Sequence, residues 1–328
     1  MVVAASRRRA FSAARRIRCS LPLCAAVLAV VTFTVPAASA GVTYNIGPGK
    51  AYTLPSQVAN KVKDGDRVEI APGTYFDCAI WRANDLIIEG TGPGVVLTDK
   101  TCAGKGIMVI DGNNVTVRNL TLQRARVPDR NGAGIREEGR DLTVDGVKFI
   151  NDEDGILANP SPQSTIIVRN SDFERNGLDR CVTWCSHGIY INAAKLLRVE
   201  HSRFYETRQG HSIKSRAAHT EVIDCDIEDG PNGTSSYLID VPNGGSLLVR
   251  GNTLEKGPKA ENHITAIAIG EEGVTHPTDQ ILVENNTFRN DGSYPTALLW
   301  NVTATPAILK GNKLIGRITP LKGDGRVE

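Results

Sequence analysis

The chain has 328 residues and a formal net charge of +2, with 38 Lys and Arg against 36 Asp and Glu, and part of the basic excess lies in its first residues. That balance implies no nucleic-acid partner; the apolar run from Leu21 to Thr34 is too short and too poorly flanked for a membrane span, and no other stretch approaches the roughly 20 apolar residues that a spanning helix needs. Aromatic residues make up only 5% while glycine reaches 32 residues, which suits short strands separated by many turns.

In chain order, residues 1–40 read as an export segment. A basic stretch from Arg7 to Arg18 precedes an apolar run from Leu21 to Thr34, and Ala38-Ser39-Ala40 offers a small-residue cleavage site. Ser6-Arg7-Arg8-Arg9-Ala10-Phe11 also resembles a twin-arginine signal. The remaining residues, 41–328, are expected to form one domain, secreted or periplasmic. Ala51 to Val62 reads as a short amphipathic helix capping the first turn of the core.

Five cysteines lie beyond the export segment, and an oxidising compartment permits disulfides. Cys78 and Cys102 lie 24 residues apart, close to the repeat length below, so they are expected as neighbours in adjacent coils. Cys181 and Cys185 are placed to close one loop. A zinc site from Cys181, Cys185 and His187 is the alternative, although its spacing is not a usual tetrahedral pattern.

From Val117 onward one motif recurs, with a second apolar anchor five residues after the first. It reads Val117-Arg-Asn-Leu-Thr-Leu122, Val144-Asp-Gly-Val-Lys-Phe149, Val168-Arg-Asn-Ser-Asp-Phe173 and Val199-Glu-His-Ser-Arg-Phe204, then Val222 to Ile227, Val249 to Leu254, Val283 to Phe288 and Leu309 to Leu314. The first anchors are 27, 24, 31, 23, 27, 34 and 26 residues apart. No copy can bury its apolar face alone, so stacked copies must share one core. The spacing of five predicts two short strands meeting at a tight bend, where Asn or Gly supplies a left-handed backbone. Asn119, Asn170 and Asn285 occupy the bend, and Asn252, Asn286 and Asn312 come one position later, where stacked amides would form a ladder.

A further strand per coil is visible in Gly134-Ile135, Gly155-Ile156, Gly188-Ile189, Ser212-Ile213, Leu238-Ile239, Ala266-Ile267 and Thr296-Ala-Leu298. Irregular lengths between the bend strand and this one place loops along one edge, where a groove would form. The fold class is therefore an all-β solenoid of about ten coils. The pattern, with its opening Gly65-Asp66-Arg67-Val68-Glu69-Ile70-Ala71-Pro72-Gly73-Thr74-Tyr75, resembles the pectate-lyase-like superfamily of right-handed parallel β-helix proteins over residues from about Thr53 to Leu321.

With the isoleucines inward, the outward column reads Arg136, Leu157, Tyr190, Lys214, Asp240, Ala268 and Leu299, and the next reads Glu138, Asn159, Asn192, Arg216, Pro242, Gly270 and Asn301. His187 and His211 stand two residues before inward isoleucines. Ionisable residues thus gather in three central coils, as abstraction of the C5 proton of a uronate requires: a base, a cation for the carboxylate, and an acid for the leaving oxygen. Lys214 is the candidate base, Arg216 the cation, and Tyr190, His211 or His187 the acid. Arg136, Asn192, Asp240 and Glu138 are candidate substrate contacts. Ser212-Ile213-Lys214-Ser215 is similar to the Lys-bearing strand of chondroitinase-B and alginate-lyase types of β-helix lyase, whose lysine acts as base and arginine as acid. Those lyases place the arginine about one coil later, where this chain has Asp240, so Arg216 takes its place. Asp152 and Asp154, in an acidic run with Glu153, are candidate calcium ligands. The expected function is a lyase acting on an acidic polysaccharide. A C5 epimerase, a glycoside hydrolase and a non-catalytic carbohydrate-binding surface protein are the alternatives.

Overall fold

The computed structural model describes residues 41–328; the expected export segment lies outside the described residues. The eight first anchors stack in one parallel register, Val117 beside Val144, then Val168, Val199, Val222, Val249, Val283 and Leu309. The second anchors stack likewise from Leu122 to Leu314, in a sheet of 10 parallel strands that runs from Gly73–Tyr75 to Lys313–Ile315. Each copy is therefore one coil, and the coils wind a parallel β-helix around a single apolar core.

Between the anchors, Asn119, Gly146, Asn170, His201, Asp224, Gly251, Asn285 and Gly311 all take left-handed conformations, with φ between 48° and 72°. The bend recurs in every copy. Only Gly avoids a Cβ clash there and Asn tolerates it, so His201 and Asp224 hold their positions because neighbouring coils impose the turn. The expected amide ladder forms in the later coils alone: Asn252 Nδ2 donates to Asn286 Oδ1 at 2.9 Å, and Asn286 Nδ2 to Asn312 Oδ1 at 2.9 Å. Earlier coils use hydroxyls, with Ser171 and Ser202 accepting the N–H of Val147 and Ser171, each at 3.2 Å.

The Gly-Ile pairs have a packing cause. Phe149, Phe173 and Phe204 stack face to face at 4.6 and 4.5 Å between centroids. A Cβ on Gly134 would lie 2.7 Å from the Phe149 ring, and one on Gly155 2.8 Å from Phe173. The glycines thus make room for the aromatic column, and once that column gives way to Ile227 the position admits Ser212, Leu238 and Ala266.

Three expectations need correction. The capping helix is a single turn, Ser56–Ala59: Pro55, which lacks an N–H and so cannot extend a helix from earlier residues, stands at its N-cap, and Asn60 leaves the helical region at φ −91° and ψ 3°. In the last coils the register slips by one: Leu299 pairs with Ile267 and Trp300 with Ala268, so Trp300 rather than Leu299 ends the outward column. Arg216 pairs with Ala193 rather than Asn192, since a bulge between Ile191 and Ala193 leaves Asn192 unpaired and turns its amide onto the Ala158 carbonyl at 2.7 Å. Both expected cysteine pairs are disulfides, which removes the thiolates that a zinc site would need, and Cys225 is a buried thiol. No helix among the described residues is long and apolar enough to cross a membrane.

Candidate active site

Strands Ile189–Glu200, Ile213–Ile223 and Ile239–Val241 set Tyr190, Lys214 and Asp240 side by side in register, in the outward column. Lys214 Nζ lies 3.1 Å from Asp240 Oδ2 and 2.6 Å from Glu272 Oε1. Arg216 reaches Glu272 Oε2 at 2.6 Å, donates through Nε to the Tyr190 hydroxyl at 3.1 Å, and bonds the Asn243 side-chain carbonyl. The Tyr190 ring also lies 5.9 Å from Lys214 Nζ and 5.8 Å from the Arg216 guanidinium carbon. Lys214 and Arg216 therefore grip one carboxylate, that of Glu272, against Tyr190.

Below this row the aromatic rings of His187, His211 and Tyr237 form a stack, with centroids 5.0 and 5.1 Å apart. His187 Nδ1 accepts the His211 backbone N–H at 3.0 Å, and His211 Nδ1 accepts that of Tyr237 at 3.0 Å. These bonds assign the ring proton to Nε2 in both. Burial pushes both imidazoles well below their ordinary pKa, so they are neutral. A neutral ring with Nδ1 occupied is a donor at Nε2 and has no lone pair for a substrate proton. His211 Nε2 lies 3.3 Å from Asp240 Oδ2.

The cluster's charges follow from burial. Burial works against the Lys214 ammonium, but Asp240 and Glu272 outweigh it, so the lysine stays a cation. Partial burial also opposes the Glu272 carboxylate, yet Lys214 and Arg216 hold it below the usual range. Asp240 is fully buried, and burial together with Glu271 pushes its carboxyl well up. Glu272 is thus the firm anionic partner of Lys214, and Asp240 the one that gives up its charge first.

Asp240 is no substrate contact: with 0% exposure it lies behind Lys214 and beside His211. Glu138 is committed to Arg136 at 2.8 Å and Lys105 at 2.9 Å. Asp152 and Asp154 are interior, accepting the N–H of Ala125 at 2.7 Å and of His187 at 2.6 Å, so they fasten loops rather than face solvent. Among the described residues Asp240, Glu271 and Glu272 do bring carboxylate oxygens within 4.8 Å of one another. That set does not fit calcium as arranged, because Lys214 Nζ already lies among the oxygens.

Sequence reasoning missed Glu271, Glu272, Asn243 and Tyr237. Tyr237 stands two residues before the inward Ile239, the same offset as His187 and His211, and that offset was signal enough to find it. The other three come from loops whose placement no repeat dictates.

The sequence model of the right handed beta helix region matches residues 76–227. The fold is a right-handed parallel β-helix. No curated protein sequence matches it. Among solved structures, this β-helix is similar to an alginate lyase from Paenibacillus sp. str. FPU-7, with 17% identity, a TM-score of 0.59, and coverage of 83% of this chain and 95% of that one. It is also similar to pectate lyase Pel9A, with 12% identity, a TM-score of 0.52, and coverage of 85% and 79% respectively. At these identities the likeness is one of fold.

Proposed function

We propose that this β-helix is a polysaccharide lyase that cleaves a uronate-containing glycan by β-elimination. The observation that carries the reading is the Glu272 carboxylate held between Lys214 and Arg216, since a uronate carboxylate has the same chemistry and, displacing it, would meet Arg216 and leave Lys214 facing the sugar's C5. The lyase names of the two fold neighbours support the same class.

When a sugar carboxylate takes the place of Glu272, Arg216 keeps an anionic partner. Lys214 loses a carboxylate 2.6 Å from its ammonium, burial then acts against the charge with only Asp240 opposing, and the ammonium passes a proton to the Asp240 carboxylate 3.1 Å away, which burial already favours in its neutral form, leaving the amine as base. It removes the C5 proton while Arg216 stabilises the charge developing on the carboxylate. The electron pair forms the C4–C5 double bond and expels the C4 oxygen, which takes a proton from the Tyr190 hydroxyl. A hydrolase would need two opposed accessible carboxyl groups. Asp240 is buried and salt-bridged, which disfavours it. Export is part of the proposal, and the two disulfides support an oxidising compartment.

The test is ultraviolet absorbance of the unsaturated product across alginate, pectate, glycosaminoglycans and bacterial exopolysaccharides. One of these polymers is expected to give product, and Lys214→Ala to lose on the order of 10²–10⁴-fold in turnover, as removal of a general base does. Isomerised uronate without absorbance would assign a C5 epimerase instead, and binding without chemistry a carbohydrate-binding protein.

A further inference from the structure

The loop from Arg175 to Ser186 carries an indole that the chemistry above does not use. Trp184 is 60% exposed, and its neighbour Cys185 is bonded to Cys181, so the ring stands on a short closed loop. That loop is fastened on three sides. Ser186 Oγ donates to the Arg130 carbonyl at 2.7 Å, Arg130 donates to the Arg180 carbonyl at 2.8 Å, and the Cys181 N–H donates to Gln209 Oε1 at 2.5 Å. Beneath the ring lies a depression of about 320 Å³ lined by Asn131, Arg136, Leu157, Trp184, Tyr190 and Asn192. Tyr190 also belongs to the cluster around Lys214, so the two sites are continuous.

We propose that this depression is a second sugar subsite, taking an acidic pyranose with Trp184 as its stacking platform and Arg136 as its carboxylate partner. The inference rests on the acidic-glycan reading above and adds the direction in which the glycan runs, from the Lys214 coil toward the earlier coils. Arg136 shares the outward column of Tyr190 and Lys214, being in register with Leu157 and through it with Tyr190. Two coil spacings separate Arg136 from Tyr190, about 10 Å along the axis. A pyranose seated there belongs to the same chain as the one whose carboxylate meets Arg216, about two sugar residues along it.

The charge in the depression suits an anion. Glu138 is shared by Arg136 and Lys105, two cations against one carboxylate, which leaves a net positive charge. Glu138 and Lys105 lie outside the lining, whose one acid, Asp154, is fully buried; burial pushes it up to about 8, so near neutral pH it presents little negative charge. An indole offers a flat apolar face to the C–H surface of a sugar, and a ring held by a closed loop surrenders little freedom on binding.

The experiment measures binding of oligomers of alginate, pectate, glycosaminoglycans and bacterial exopolysaccharides, dimer to hexamer, to the full chain carrying Lys214→Ala, by calorimetry. The expected result is affinity that rises with length, and loss of that rise, about tenfold for the longer oligomers, in Trp184→Ala and in Arg136→Gln, with Trp184→Phe restoring most of it. In the chain with Lys214 intact, Trp184→Ala is expected to raise KM about tenfold on polymer while kcat stays within about twofold. Affinity indifferent to Trp184 and Arg136 at every length would overturn the subsite while leaving the lyase reading intact. Trp184-dependent binding without turnover by the intact chain would sustain the subsite and overturn the lyase reading. No binding of any acidic oligomer would overturn both.

Discussion

At the scale of single residues the account turns on Glu272 as the partner that keeps Lys214 charged. Replacing it with Gln removes a carboxylate 2.6 Å from the ammonium while burial of the amine persists, so the lysine pKa must fall. The fraction of neutral base at a given pH then rises, and the acidic limb of the kcat/KM profile of Glu272→Gln is expected to move to lower pH. A limb that stays in place would show that Lys214 is not the group being titrated. A second titration concerns stability. Glu137 is buried with neither carboxyl oxygen hydrogen-bonded, and burial, reinforced by Asp141 and Glu138, pushes it from 4.5 up to about 8. The folded chain therefore holds a proton that the unfolded chain releases between those values. The stability this group contributes is complete below about 4.5 and is lost as pH rises through about 8. The melting temperature is expected to fall as pH is raised from about 5 to about 9, and to fall less in Glu137→Gln. Asp152 and Asp154, pushed to about 8 by burial, add in the same direction and leave a residual slope.

At the scale of elements, the aromatic column and its glycines form one packing device. Phe173 stacks between two other rings and is 1% exposed, so Phe173→Ala is expected to cost about 3–5 kcal/mol in denaturant unfolding. Gly155→Ala puts a Cβ 2.5 Å from the Gly188 carbonyl oxygen as well as against Phe173, and is expected to be destabilising although alanine is the better strand former. These glycines were legible in sequence as a Gly-Ile repeat, but their cause was not, because the partner phenylalanines lie on the other strand of the coil. The anchors were legible for a simpler reason: a shared core imposes the same spacing on every copy. The Asn192 bulge escaped because the extra residue shifts the inward phase from Ile189 and Ile191 to Ala194, and the doublet Ala193-Ala194 reads equally well in either phase.

At the scale of the whole molecule, the solenoid explains which parts of the site sequence reasoning reached. Tyr190, Lys214, Arg216, His187 and His211 stand at fixed offsets from inward isoleucines, so the coil register brings them together. Glu271 and Glu272 sit in the loop after strand Thr265–Ile269, where no repeat sets the path. That is why Asp240 was read as an exposed contact and its cover went unseen. The same architecture makes the site an assembly of three coils and a loop, so its chemistry is tested best through the bond it breaks. Mass spectrometry of oligomers released from the preferred uronate polymer decides this most directly. The account predicts new non-reducing ends lighter by one water, the mark of a C4–C5 double bond, and their absence with Lys214→Ala. Saturated ends carrying the full mass of added water would contradict it.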